Sequence, residues 1–210
     1  MHRLFFVIAL GGALSGCATT PARPRPMGIV EKPVSAWRET IKLPDAGTID
    51  AMPARWAAAR AHAGKRAAAA IAAQGALLAG PALDHPAPSP GPYRCRLVRL
   101  GASGVRGFPA TTCFIGGDPG AMLSFTKATG SDAPGGWLYP DDVTTRYVFL
   151  GARQVRPGTS NLAYGKDMTR NLAGVVERIG NFRWRLVIPG AADTLDVYDL
   201  TPLASAAPAK

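Results

Sequence analysis

Apolar positions recur every third or fourth residue in the first half of this chain, and from Tyr93 onward they recur every second residue. Tyr93, Cys95 and Leu97 alternate with Arg94, Arg96 and Val98, the period of a strand that turns one face inward. Short apolar runs at 111–115, 122–127, 137–139, 146–150 and 195–200, separated by Gly, Pro and Asp, predict further strands. The strongest pattern is a hairpin. Strands at 175–179 and 182–188 flank Gly180-Asn181 as a two-residue turn, and Phe182, Trp184, Leu186 and Ile188 form the inward set against Arg183, Arg185 and Val187. Upstream, Ile49, Met52, Trp56, Ala59 and Ala63 share one helical face, with Pro53 near the start and Gly64 as a C-cap. A second, Ala-rich helix is expected over 65–78, with Ala67, Ile71, Gln74 and Leu78 inward and Gly80-Pro81 as its stop. Ser35 is a plausible N-cap for a short helix with Trp37 and Ile41 on one side. The alternate prolines of 84–92 block both helix and ladder and read as a linker. The expected class is α+β: a helical hairpin in 33–83 packed on an antiparallel β-barrel or sandwich of seven to eight short strands in 93–203, forming one domain, with a tail at 204–210.

One apolar run fits neither period. Leu4 to Leu14 follows the basic start His2-Arg3 and ends in Leu14-Ser15-Gly16-Cys17. A membrane-spanning helix needs roughly 20 apolar residues, and this run gives way to Thr19-Thr20 and the Pro/Arg-rich stretch from Pro21 to Pro26. It reads instead as a lipoprotein signal peptide over 1–16, after which Cys17 carries acyl chains and 17–32 serves as a Pro/Arg-rich tether. Each buried acyl methylene is worth about 0.8 kcal/mol, so two or three chains hold a domain on a bilayer without a protein span. Ala18 in place of Asp after the cysteine resembles outer-membrane sorting signals, which implies an extracytoplasmic protein at the outer membrane, facing the periplasm.

That address changes the reading of the cysteines. With Cys17 acylated, Cys95 and Cys113 remain as a single pair in an oxidising compartment, and a disulfide is the natural assignment. Neither a C-x-x-C spacing nor a neighbouring histidine supports a metal or redox role. The formal charge of +10 drops to +9 when Arg3 leaves with the leader, and it is spread along the chain without a Lys/Arg run. This argues against nucleic acid as a partner. It is compatible with attraction to an anionic envelope component such as lipid headgroups, lipopolysaccharide or peptidoglycan.

Several segments occur in a distinctive order: Tyr93-Arg94-Cys95-Arg96, Thr129-Gly130-Ser131, Leu138-Tyr139-Pro140-Asp141, Val148-Phe149-Leu150-Gly151, Tyr164-Gly165, Val176-Glu177-Arg178-Ile179-Gly180 and Arg183-Trp184-Arg185-Leu186-Val187. As a set they resemble the bacterial extracytoplasmic family known as domain of unknown function 4893, over about 37–202. The resemblance implies a common fold and transfers no catalytic or binding residue. The acylated start lies outside the family pattern, so anchoring rests on the leader alone.

Catalytic devices are hard to assemble from these residues. Of the three histidines His2 leaves with the leader, His62 sits late in a helix and His85 in the proline segment, which gives a Ser or Cys nucleophile no base. Asp141-Asp142 reads as a structural turn, and Glu177 as one half of an outward ion pair with Arg178 or Arg185. Gly165-Lys166 lacks the upstream glycine of a phosphate loop and has Asp167 where a hydroxyl is needed. Asp193, Asp196 and Asp199 do not follow a calcium-loop pattern. No metal and no cofactor is implied. The candidate binding surface is therefore aromatic and basic: Trp137, Tyr139 and Arg146, with Arg94, Arg96, Arg183 and Arg185 as a second patch if their strands are neighbours. The expected function is a non-enzymatic binding or envelope-interaction module. The alternatives are an inhibitor of a secreted protease and a carrier of a small apolar ligand in a barrel cavity.

Overall fold

The alternation that starts at Tyr93 extends through eight strands in the computed structural model, which describes residues 35–117, 122–130, 133–157 and 163–203. They are β1 (Gly91–Gly101), β2 (Gly104–Gly116), β3 (Leu123–Lys127), β4 (Pro134–Pro140), β5 (Arg146–Arg153), β6 (Asn171–Gly180), β7 (Arg183–Pro189) and β8 (Leu195–Pro202). Each pairs antiparallel with the next, and β8 returns to β1, so the sheet closes into a barrel. The lumen is filled. Tyr93 packs edge-on against Trp184 and Phe125 against Phe149, each pair with centroids 6.0 Å apart, and Leu138, Leu186 and Leu200 complete the layer. Room for the two phenylalanine rings comes from glycine at adjoining inward positions. Gly136 faces Phe125 on one side and Gly151 on the other, and a Cβ on Gly151 would stand 2.2 Å from the Gly135 carbonyl oxygen.

One side of the barrel is apolar on its outer face as well. Val98, Leu100, Val148, Val175, Val187 and Val197 all point away from the lumen and are fully buried, because the N-terminal helices lie over them. These helices are α1 (Ala36–Thr40), α2 (Leu43–Asp50), α3 (Met52–Ala63), α4 (Ala68–Ala73) and α5 (Ala76–Ala79). Met52, Trp56 and Ala59 supply the buried side of α3, as their spacing predicts, and Gly64 ends that helix with φ +71°; Ile49, expected on the same helix, is instead buried from α2, which ends at Asp50, and Trp37 is buried from α1. Ser35 precedes α1, but its side chain makes no capping hydrogen bond.

Three further expectations need correction. The second helix is not continuous over 65–78: a 3-10 turn (Lys65–Ala67) leads into α4, and Gly75, with φ +53°, separates α4 from α5. An alanine run has high propensity but little to bury, so packing decides its path. Here the break turns both Leu77 and Leu78 into the core, where a straight helix would present Leu78 alone. The hairpin turn is Asn181-Phe182 rather than Gly180-Asn181, since Gly180 pairs with Arg183 and the register shifts between Arg178 and Gly180. That shift takes Phe182 out of the inward set; it sits in the turn at φ +50° and is 74% exposed. Finally, the proline segment lacks regular structure as expected, yet it is packed rather than free. Pro86 and Pro88 are buried and Ala87 touches the lumen core, while the Leu83 amide donates to the Arg178 carbonyl at 2.8 Å. It forms a strap over the barrel end where β1 begins.

The strap is fastened by the Tyr93 hydroxyl, which donates to the Ser89 carbonyl at 2.6 Å, and burial pushes this phenol up to about 12. Tyr164 is raised to about 12 too, by burial first and then by its hydrogen bond to the Asp45 carboxylate. Unfolded tyrosine ionises near 10, so the unfolded chain loses these protons first. Their stabilising contribution is complete below about pH 10 and should be lost as pH rises toward 12. Urea midpoints measured across that window should fall for the native chain and fall less for Tyr93→Phe/Tyr164→Phe. Identical slopes would refute the assignment.

Candidate binding site at the barrel end opposite the strap

Opposite the strap, one irregularity shapes the barrel mouth. Arg96 pairs with Ala110 and Val98 with Gly107, so Phe108 and Pro109 of β2 together oppose the single residue Leu97 of β1. A bulge of this kind bends its strand and re-aims side chains, and it is where a strand tolerates a proline with no N–H to donate. Leu97, Phe108 and Pro109 form the apolar wall of a cavity of about 230 Å³, completed by Arg99, Thr111, Lys127 and Gly130.

Charge is concentrated beside that wall. The Arg99 guanidinium is held in a two-point ion pair with Asp196, at 2.6 and 2.8 Å, and lies 5.7 Å from the centre of the Phe108 ring. Arg106 stands over the same ring at 5.0 Å. Lys127, the last residue of β3, continues the inward row of Leu123 and Phe125 and is only 5% exposed. Its Nζ lies 3.0 Å from where a Cβ on Gly130 would stand, so a side chain at that position would crowd the ammonium. Gln154 ties the ends of β3 and β4 together by donating to the Lys127 and Pro134 carbonyls at 3.2 and 3.0 Å, and its own buried Oε1 has no partner among the described residues. The Thr111 hydroxyl donates to the Cys95 carbonyl at 3.3 Å. An apolar wall beside cationic groups suits a ligand that is itself part apolar and part anionic.

The residues singled out from the sequence lie elsewhere and do not form one surface. Cys17 is outside the described residues. Cys95 and Cys113 are joined as a disulfide inside the barrel, their Cα atoms 5.9 Å apart. Trp137 points outward from β4 and is 40% exposed, whereas Tyr139, two positions on, packs under the helices. Arg146 donates to the buried Asp141 carboxylate at 2.5 Å and to the Ile49 carbonyl at 3.3 Å. Arg94 is exposed on β1. Of the other three arginines, Arg96 and Arg183 converge because β8 brings Asp199 between their strands. Arg183 makes a two-point contact with Asp199 at 2.8 and 2.9 Å, and Arg96 reaches Asp199 at 3.4 Å and Gln74 at 2.9 Å. Arg185 pairs with Glu177 at 2.6 Å and donates to the carbonyls of Ala76, Leu77 and Gly80, satisfying the end of α5. His62 contacts Asp193 at 3.1 Å and His85 is exposed. Among the described residues no three His, Cys, Asp or Glu side chains group as a metal-ligand set.

Sequence reasoning missed Phe108, Pro109, Arg99 and Lys127. The available signal was Gly107-Phe108-Pro109, an aromatic between two strand breakers, which marks a bulge once β2 is known to begin at Gly104.

A filled, disulfide-crosslinked eight-stranded barrel, flanked by helices on one side and cavitied at one end, is the class of protein these observations define. The chain belongs to the family described as Domain of unknown function (DUF4893), which it matches over residues 37–200. No curated protein and no solved structure matches it.

Proposed function

We propose that this protein is a non-enzymatic binding module of the cell envelope, held at the outer membrane by acyl chains on Cys17, and that it engages an anionic envelope component through the barrel end opposite the strap. The leader pattern and the enclosed Cys95–Cys113 bond support an oxidising, extracytoplasmic address. The filled lumen argues against a carrier with cargo inside the barrel, and the strap covers the other end. The observation that carries the reading is the mouth cavity, where Leu97, Phe108 and Pro109 stand beside Arg99 and Lys127.

The test is co-sedimentation of the purified full chain with isolated lipopolysaccharide at rising ionic strength. Screening lengths contract from about 30 Å at 0.01 M salt to about 3 Å at 1 M, so the bound fraction should drop over that range. Salt-insensitive binding, or none at low salt, would overturn the partner class. An intact mass that retains Met1 would overturn the address.

A further inference from the structure

The mouth cavity is small. At about 230 Å³ it lies below the roughly 300–1,000 Å³ of pockets that enclose a whole drug-sized ligand. It has space for a headgroup and a few methylenes, not for an entire lipid or a folded partner. The wall and the charges stand side by side: Leu97, Phe108 and Pro109 are contributed by the bulge, and Arg99 and Lys127 by inward positions of β1 and β3. Arg99 and Lys127 line the cavity and Arg106 stands over the Phe108 ring, while the Asp196 carboxylate is held in the two-point pair with Arg99. That pair fixes the Arg99 guanidinium at the rim, against the edge of the apolar wall.

We infer that the cavity binds one phosphate-headed amphiphile, with the first methylenes of its chain against Phe108, Pro109 and Leu97 and its phosphate toward Lys127 and Arg99. This rests on the binding-module reading and names the chemistry of its site. Burying the start of an alkyl chain on Phe108 supplies affinity, and contact with paired cations supplies selectivity over an uncharged chain of the same length. The phosphate can belong to an envelope lipid or to a free alkyl phosphate, and the experiment separates these sources.

The experiment is photolabelling of the full chain in its membrane with a diazirine-bearing octyl phosphate, followed by peptide mapping, with octyl phosphate, octanol and inorganic phosphate as competitors. The label should map to 107–111, and octyl phosphate should compete at least about tenfold better than octanol or inorganic phosphate. Phe108→Ala should raise the octyl phosphate needed by about tenfold. Should that variant fail to fold, Lys127→Gln serves instead, and it should reduce the preference for octyl phosphate over octanol. Equal competition by octanol removes the role of the cations, and equal competition by inorganic phosphate removes that of the wall; either result overturns the inference. So does labelling away from the mouth. Labelling that envelope lipid extract blocks while inorganic phosphate does not would identify a lipid source; a block by water-soluble alkyl phosphates alone would identify a free one. If lipopolysaccharide binding keeps its salt dependence while the mouth goes unlabelled, this inference falls and the binding-module reading stands.

Discussion

Asp141→Ala should lower the free energy of unfolding by about 3–5 kcal/mol, the range expected when one member of a buried ion pair is removed. The Asp141 side chain is 1% exposed and accepts three hydrogen bonds: from Trp37 Nε1 at 2.9 Å, from Arg146 Nε at 2.5 Å and from the Asp142 amide at 2.8 Å. Through these bonds one carboxylate joins α1 to the β4–β5 corner, and Arg146 extends the link to α2 by donating to the Ile49 carbonyl. Truncation leaves a nearly buried guanidinium without its anion and an indole N–H without an acceptor in the core. Urea unfolding reads the loss directly. The double variant Asp141→Leu/Arg146→Met should be less destabilised than Asp141→Ala, because it removes both charges instead of stranding one. A loss below about 1 kcal/mol would mean that the pair behaves as a solvated surface bridge.

The same residues show how far the sequence carries. Periodicity located all eight strand regions and the buried side of α3, since each depends on local alternation that a closed barrel and a covering helix preserve. Face is not environment, however. Arg146, Arg185 and Arg96 do point out of the barrel, as alternation requires, but α1–α5 lie over that side and convert an outward position into a buried or half-buried one. Their partners follow from strand order. Asp199 reaches Arg183 and Arg96 only because β8 lies between β7 and β1, and no local pattern states that adjacency. Glu177 with Arg185 was legible, being one of two pairings open to a glutamate on β6. The mouth was illegible for the opposite reason: Gly104-Val105-Arg106-Gly107-Phe108-Pro109 has no alternation, and the bulge that breaks the pattern is what builds the cavity.

Replacing both cysteines, Cys95→Ala/Cys113→Ala, should cost about 3 kcal/mol, the loop-closure value for a crosslink that encloses a segment of this length. The bond spans 18 residues of the β1–β2 hairpin and staples it on the lumen side, where Cys95 is 1% and Cys113 0% exposed. Since β1 and β2 already pair along their length, the crosslink adds little to native geometry, and its main effect is to restrict the unfolded chain. The urea midpoint of the variant should therefore fall with little change in native spectroscopic signature. Position adds a second consequence. Cys95 lies two residues before Leu97, and its carbonyl accepts from Thr111, so the staple sits directly behind the bulge that walls the mouth cavity. The variant should lose octyl phosphate labelling at lower urea than it loses secondary structure, whereas the crosslinked chain should lose both together. An unchanged midpoint would show that the hairpin is closed as well in the unfolded chain without its sulfur bridge. Because both sulfurs are enclosed by the barrel, reduction of the native chain should proceed only as fast as the barrel opens, so raising the reductant concentration should bring the rate to a plateau set by unfolding.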